Sequence, residues 1–188
     1  MSKCVTVYTQ AYNVENYIEQ CIKSVLSQTF QDFEWILVEN GSTDKTREII
    51  RKYAALDERI KPDYFDVNQD GFTNYYIAEK ADGRYIVKID SDDWIEPDMY
   101  QCMVDNIKKN NADIVSVGFY LENSNKTEIY NDEIDSNLYK IGKDTNKFIE
   151  SVLLGNTKSR LYSIQWNLVT KLFKRNVISV SQEKVNGV

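Results

Sequence analysis

Histidine is absent from all 188 residues. That absence removes every mechanism built on imidazole: Ser-His-Asp and Cys-His triads, His-bound zinc and His proton shuttles. Any metal must then be held mainly by oxygen, and any proton transfer must use a carboxylate, Lys, Tyr or Cys. Proline occurs only as Pro62 and Pro97. Cysteine occurs three times, as Cys4, Cys21 and Cys102, at wide spacing and with no CxxC pair, which argues against a disulfide framework and a zinc knuckle. Cys21 and Cys102 stand among apolar residues and are expected to be reduced core thiols. No apolar run approaches the ~20 residues that span a bilayer. The N-terminus enters a strand-like stretch with no signal-peptide apolar region. A cytoplasmic chain is therefore expected, with peripheral contact at the inner face of a membrane left open. Basic residues are in the minority, 23 against 29 acidic, for a net charge of −6. That balance argues against broad electrostatic binding to nucleic acid and suits a protein that holds a cation. Glycine-rich phosphate cradles are missing too. No GxxxxGK[ST] or GxGxxG follows the first strand, so a P-loop NTPase or dinucleotide dehydrogenase is not indicated. A nucleotidyltransferase would need a basic, Gly-rich loop near the N-terminus, and residues 1–16 hold no Gly and only Lys3 as a cation.

What is present is one domain's worth of chain, since domains run to roughly 100–200 residues. At 42% hydrophobic and 12% aromatic it has the material for a core. Val5 to Tyr8 reads as a strand and residues 9–13 as a loop. Ile18, Cys21, Ile22, Val25 and Leu26 fall at i, i+3, i+4, i+7 and i+8 of a helix. Trp35 to Val38 is a continuous apolar run, as in a strand buried on both faces. It ends in residues 39–44, a turn offering Ser42, Thr43 or Asp44 as cap of a helix that carries Ile49, Ile50, Tyr53 and Ala54. A strand is expected near Ile60 to Phe65, at an edge because of Pro62. A short helix over Asn74 to Lys80 follows, closed near Gly83, then a buried strand from Tyr85 to Ile89. Pro97 suits the first turn of a helix with Tyr100, Met103, Val104 and Ile107 on its apolar face. Beyond it come a strand from Ile114 to Tyr120, a polar loop or irregular hairpin over residues 122–137, a helix near Phe148 to Leu154, and a strand around Lys171 to Phe173.

Strands alternating with helices mean an α/β domain with a mostly parallel sheet, whose ligands bind beyond the carboxyl ends of the strands. Residues 9–13, 39–44 and 90–93 all follow strands and should meet at one end of the sheet. Asp90, Asp92 and Asp93 put three carboxylates into four residues, an unfavourable crowding unless a cation or proton compensates. Oxygen ligation of this kind suits Mg2+ or Mn2+ shared with substrate phosphates, while a calcium loop would need a 12-residue spacing that is not there. Glu39 and Asn40 could hydrogen-bond a base or ribose.

The motifs match a known family in order and spacing. Residues 5–18 read VTVYTQAYNVENYI, 24–30 SVLSQTF, 35–44 WILVENGSTD, 81–86 ADGRYI and 90–98 DSDDWIEPD, with a fainter echo at Trp166-Asn167 and in KLFKR at 171–175. Over about residues 4–110 the chain resembles the family 2 glycosyltransferases, which have the GT-A fold. The resemblance implies an inverting, metal-dependent transferase of hexosyl or N-acetylhexosaminyl type. It would move a sugar from a nucleotide-sugar donor, a UDP-sugar by preference, to a hydroxyl of a glycan, lipid-linked or protein acceptor in polysaccharide or cell-surface glycan synthesis. By the same likeness Asp90-Ser91-Asp92 occupies the DXD position. Asp92 would bind Mn2+ or Mg2+, Asp90 would face the ribose or metal-bound waters with Ser91 beside it, and Asp93 is an adjacent ligand candidate. Thr9, Ala11 and Tyr12 fall on the nucleobase loop, and Glu39 and Asn40 on a uracil- or ribose-contacting pair.

The chain departs from the family pattern at four places. Gln10 stands where Pro is common, Glu39-Asn40 where Asp-Asp is usual, and Phe72-Thr73-Asn74 where relatives carry Ala-Arg-Asn, which removes a phosphate-facing cation. Inversion also needs a carboxylate to deprotonate the acceptor. Relatives commonly place it downstream of the KLFKR region, and the chain ends at Val188 before such a pair. Glu183, Asp132, Glu133 and Asp135 are the acidic residues nearest that role, and none is assigned to it. Two readings stay open: the N-terminal piece of a longer enzyme, or a non-catalytic or incomplete nucleotide-sugar binding domain. Residues 1–188 are read as a single domain, with about 1–110 as its nucleotide-sugar and metal half and about 111–188 as its acceptor side.

Overall fold

A computed structural model describes residues 3–69, 74–123, 126–130 and 170–176. The element order is β1 (Val5–Ala11), α1 (Ile18–Leu26), β2 (Phe33–Asn40), α2 (Thr46–Ala54), β3 (Ile60–Phe65), α3 (Asn74–Lys80), β4 (Tyr85–Lys88), α4 (Met99–Lys109), β5 (Ile114–Ser116), β6 (Phe119–Asn123), β7 (Lys126–Tyr130) and β8 (Lys171–Lys174). The main sheet runs β3-β2-β1-β4-β8-β5, and β6 and β7 form a separate hairpin. Strands β3, β2, β1 and β4 are parallel, while β8 lies antiparallel between β4 and β5.

Strand alternation sorts the side chains onto two faces. Val5, Val7 and Ala11 of β1 with Phe33, Trp35 and Leu37 of β2 pack under the apolar stripes of α1, α2 and α4. On the other face Tyr8, Ile36, Val38 and Ile86 pack against Ile77 and Ala81. Both faces are covered, which is why β2 reads as an unbroken apolar run. Pro62 is on β3, an edge strand, where a missing N–H breaks no interior ladder.

The chain order reverses between β1 and β4. After β3 the chain passes α3 and returns on the opposite side of β1. In open α/β sheets that reversal opens a crevice at the carboxyl ends of the two strands, the usual place for a ligand. Here those ends are Ala11 and Lys88, with Tyr8 level with Lys88 in the register and the Ile89 N–H donating to the Tyr8 carbonyl at 3.0 Å.

Several expectations are corrected. Thr9, Gln10 and Ala11 belong to β1, because pairing with Leu37, Val38 and Glu39 continues past Tyr8. The stretch from Ile114 to Tyr120 is two strands in two sheets, parted at Val117 and Gly118, where the Val117 N–H donates to the Thr170 carbonyl at 3.0 Å. Helix α4 starts at Met99, so Pro97 precedes it. Cys102 is exposed, unlike buried Cys21, because it lies off the stripe formed by Tyr100, Met103, Val104 and Ile107. The helix expected near Phe148 to Leu154 lies outside the described residues, as do Glu183, Asp132, Glu133 and Asp135.

Candidate nucleotide and metal site

The three polar segments lie at the carboxyl ends of the parallel strands β1, β2 and β4. Segments 9–13 and 39–44 are joined by reciprocal hydrogen bonds. The Asn13 side-chain oxygen accepts from the Thr43 N–H at 2.8 Å, and the Asn13 N–H donates to the Ser42 hydroxyl at 3.1 Å. The Val14 N–H donates to Thr46 Oγ1 at 2.9 Å. Asp44 Oδ2 accepts from the Glu15 N–H at 3.0 Å and Oδ1 from the Thr46 N–H at 2.9 Å. Asp44 thus closes the start of α2 although Lys45 holds the cap position. Partial burial raises the Asp44 pKa, but the hydrogen bonds from Thr46 and Glu15 outweigh it and hold the carboxyl below its ordinary value. Asn13 sits at φ 51°, in the left-handed region that Asn tolerates.

Glu39 and Asn40 are buried and already engaged. Glu39 Oε1 accepts from the Ser42 N–H at 2.6 Å, and Oε2 pairs with the Arg47 guanidinium. Arg47 also donates to the Phe65 carbonyl and so ties α2 to the end of β3. The Asn40 amide donates to Asn68 Oδ1 at 2.5 Å and to the Gln69 carbonyl at 3.2 Å, and accepts from the Gln69 N–H at 3.0 Å. Between these segments Gly41 adopts φ 76°, and a Cβ there would stand 2.4 Å from the Val67 carbonyl carbon. Glu39 and Asn40 therefore shape the loops around the crevice. Thr9 is likewise buried, its hydroxyl accepting from Trp35 Nε1 at 3.0 Å, and Ala11 is in the core. Of Thr9, Ala11 and Tyr12, Tyr12 is the one that is exposed.

The aspartate turn has a different character. The Asp93 N–H donates to the Asp90 carbonyl at 3.1 Å, Ser91 is buried, and Asp92 and Asp93 are exposed. The Lys88 ammonium lies 2.7 Å from Asp90 Oδ1. Desolvation first, then repulsion from Asp92 and Asp90, raises the Asp93 pKa to about 6 against the pull of Lys88, although the residue as a whole is open to solvent. Beneath the turn, the Cys21 thiol contacts the Asp90 carbonyl at 3.6 Å; burial and the same three carboxylates push its pKa far up. Among the described residues no three carboxylates or thiols enclose an ion by themselves. An ion here would be held by one or two carboxylates and complete its sphere with ligand oxygens, the usual arrangement for Mg2+.

Residues overlooked in the sequence hold this turn in place. Cys21, Ser24 and Gln28 follow the i, i+3, i+7 spacing of one helical face. Ser24 Oγ accepts from the Ile95 N–H at 3.2 Å. The Gln28 amide donates to the Glu96 carbonyl at 2.6 Å and to the Ser24 carbonyl at 3.3 Å, and accepts from the Tyr100 N–H at 3.0 Å. Asp98 makes no side-chain cap of α4, so Gln28 caps it from another element. The polar letters of SVLSQTF were the available signal. Lys88 was equally readable, as a cation in an otherwise apolar strand, two residues before Asp90 and on the same side of the pleat.

The sequence model described as Glycosyl transferase family 2 matches residues 6–167. Glycosyltransferase GlyA of Streptococcus pneumoniae serotype 4 is 30% identical over 150 residues, covering 79% of this chain and 21% of its own. The putative teichuronic acid biosynthesis glycosyltransferase TuaG of Bacillus subtilis is 42% identical over 90 residues, covering 47% and 36%. The crystal structure of S. aureus TarS 1-349 in complex with UDP-GlcNAc superposes with a TM-score of 0.69 at 19% identity, over 95% of this chain and 47% of that one. The chain spans less than half the length of each of these proteins.

Proposed function

The chain belongs to glycosyl transferase family 2 and has the GT-A fold, and from that premise we propose that it binds a nucleoside-diphosphate sugar, a UDP-sugar by preference, and transfers the sugar to an acceptor hydroxyl with inversion in cell-wall or other surface polysaccharide synthesis. The observation that carries this reading is the crevice between β1 and β4, with the Asp90–Asp93 turn on one side and the joined loops of β1 and β2 on the other. The similarity to TuaG, a putative teichuronic acid biosynthesis glycosyltransferase, and to TarS with its bound UDP-GlcNAc supports the polymer class and the donor class.

The donor set fits a divalent cation. It is all oxygen and lacks His, and it places three carboxylates within four residues. Asp92 is the ligand assigned first, with Asp90 and Asp93 beside it. When bound, Mn2+ or Mg2+ supplies Lewis-acid stabilisation of the charge on a departing diphosphate. The chain's own residues do the rest. Tyr12 offers a ring to the nucleobase, and the segment from Thr9 to Ala11 offers backbone beside it. Glu39 and Asn40 hold the two flanking loops. Lys88 neutralises Asp90 at the crevice floor and stands where a cation is useful, since the chain has Thr73 where relatives carry Arg. In the transfer, the acceptor oxygen bonds to the anomeric carbon and the bond to the diphosphate oxygen breaks. The nucleoside diphosphate leaves with the electron pair, and the acceptor proton passes to a base that we assign to no described residue.

No helix among the described residues is long and apolar enough to cross a membrane. Peripheral membrane contact and a glycan, lipid-linked or protein acceptor belong to the same proposal. Isothermal titration of the chain with UDP, with and without Mn2+, tests it. Mn2+-dependent binding that Asp92→Ala abolishes is expected. Binding that ignores both Mn2+ and Asp92→Ala would contradict it.

A further inference from the structure

Strand β4 ends on a cation. Tyr85, Ile86 and Val87 are buried, and Lys88 follows them at the carboxyl end. Tyr85 and Val87 pack on the α1 side of the sheet and Ile86 on the α3 side, so the pleat sends Lys88 to the α3 side as well. There it stands level with Tyr8 of β1, at the floor of the crevice. Its side chain is 30% exposed, and its ammonium lies 2.7 Å from Asp90 Oδ1 on a carboxylate that is 41% exposed. Ile89, between the two, donates its N–H to the Tyr8 carbonyl at 3.0 Å, so both side chains leave a pinned strand end.

An ion pair this open to water contributes little to stability, so stability does not account for a lysine at this place. The pair is easily exchanged, and a divalent ion at the aspartate turn competes for the same carboxylate. An ammonium repels a dication twice as strongly as it repels a single charge at the same distance. Lys88 must therefore leave Asp90 when the turn fills. Its strand end keeps it at the crevice, where a diphosphate brings oxygens that a compact ammonium pairs with well. We propose that Lys88 is a placeholder cation: it holds Asp90 while the turn is empty, yields it to the divalent ion, and passes to the diphosphate. The proposal rests on the donor reading and deepens it, because it makes ion and nucleotide bind cooperatively. An ion arriving alone must break the Lys88–Asp90 pair, whereas with a diphosphate present the displaced ammonium gains a new partner. The coupling is reciprocal: whatever factor UDP adds to Mn2+ affinity, Mn2+ adds to UDP affinity.

Electron paramagnetic resonance of free Mn2+, titrated with the 188-residue chain in the absence and presence of UDP, tests it alongside UDP calorimetry. The samples are the parent, Lys88→Met, Lys88→Arg, and Lys88→Gln as a second neutral variant. Without nucleotide, Lys88→Met should bind Mn2+ up to about fivefold more tightly than the parent, since an exposed ion pair no longer has to be broken. With Mn2+ present it should bind UDP about tenfold more weakly, through the loss of one charge-assisted contact. The factor by which UDP enhances Mn2+ binding should fall accordingly. Lys88→Arg keeps the charge and should stay nearer to the parent than to Lys88→Met in both measurements. The opposite signs are the signature, because a merely structural role would weaken both ligands. Mn2+ binding unchanged or weakened in both neutral variants, or UDP binding unchanged by them, overturns the placeholder role alone. UDP binding that is absent from the parent chain, or indifferent to Mn2+ there, overturns the donor reading instead.

Discussion

Gln28 bears on the account more than its place just past the end of α1 suggests. It is 1% exposed and spans three segments: its amide bonds the Glu96 and Ser24 carbonyls and receives the Tyr100 N–H. Gln28→Ala strips the buried Tyr100 N–H of its partner, while the Glu96 carbonyl keeps the Met99 N–H at 3.1 Å. The Ser24 carbonyl keeps the Ser27 hydroxyl at 3.0 Å. At about 1–3 kcal/mol for an orphaned buried group, the loss should be about 1–3 kcal/mol. Because urea m-values are about 1–3 kcal/mol/M, the unfolding midpoint should fall by about 1 M. The substitution also frees the segment carrying Asp93 and Trp94, so UDP–Mn2+ binding should weaken in the fraction that stays folded. Gln28→Glu sharpens the test. A carboxylate facing two carbonyls cannot donate, whereas the protonated acid can, so its pKa in the folded protein is raised above the unfolded value of about 4.3. That variant should be most stable below about pH 4 and lose stability as pH rises. Urea titrations of Gln28→Ala that match the parent within error, or a Gln28→Glu variant whose stability ignores pH, would refute the tethering role.

Three further outcomes follow from the geometry. The Tyr100 hydroxyl is fully buried with no hydrogen-bond partner among the described residues, so Tyr100→Phe should be neutral or stabilising by up to about 2 kcal/mol in thermal unfolding, and a clear destabilisation would mean the hydroxyl has a role the packing does not show. Gly41→Ala places a Cβ 2.4 Å from Val67 backbone at φ 76° and should cost more than the roughly 1–3 kcal/mol of a strained residue alone, which chemical denaturation will measure. Asp93, with its pKa raised to about 6, is protonated more readily folded than unfolded; its share of stability is present at low pH and lost as pH rises through about 6, while Mn2+ binding rises over the same interval, and Asp93→Asn should flatten both profiles.

Much of the donor half was legible because local pattern and tertiary demand agree there. The buried run in β2, the stripes of α1 and α4 and the edge position of Pro62 each follow from one periodicity or one missing N–H. The readings that failed involve partners distant in sequence. Thr9, Gln10 and Ala11 looked like loop because they are partly polar, yet β2 lies alongside them and Trp35 satisfies the Thr9 hydroxyl. Residues 114–120 are mostly apolar, and Gly118 was the one local sign of the break at Val117, where the Thr170 carbonyl takes the Val117 N–H. The engagement of Glu39 was equally hidden: its partner Arg47 is eight residues on, a pairing that only the folded α2 creates. Cys102 was legible and misread, since it stands two residues from Tyr100 and so on the far side of the helix. For the site, the sequence placed its candidates at the carboxyl end of the sheet, where the structure has them, but did not show that groups such as Asn40 are already hydrogen-bonded to the neighbouring loop.

The central claim is that the crevice between β1 and β4 holds a nucleoside diphosphate together with a divalent cation. A crystal structure of the chain grown with UDP and Mn2+, with the ion located by its anomalous scattering, tests it most directly. The account predicts an anomalous peak against Asp92, and UDP with its base beside Tyr12. Manganese or nucleotide bound elsewhere on the chain, with the aspartate turn empty, would contradict it.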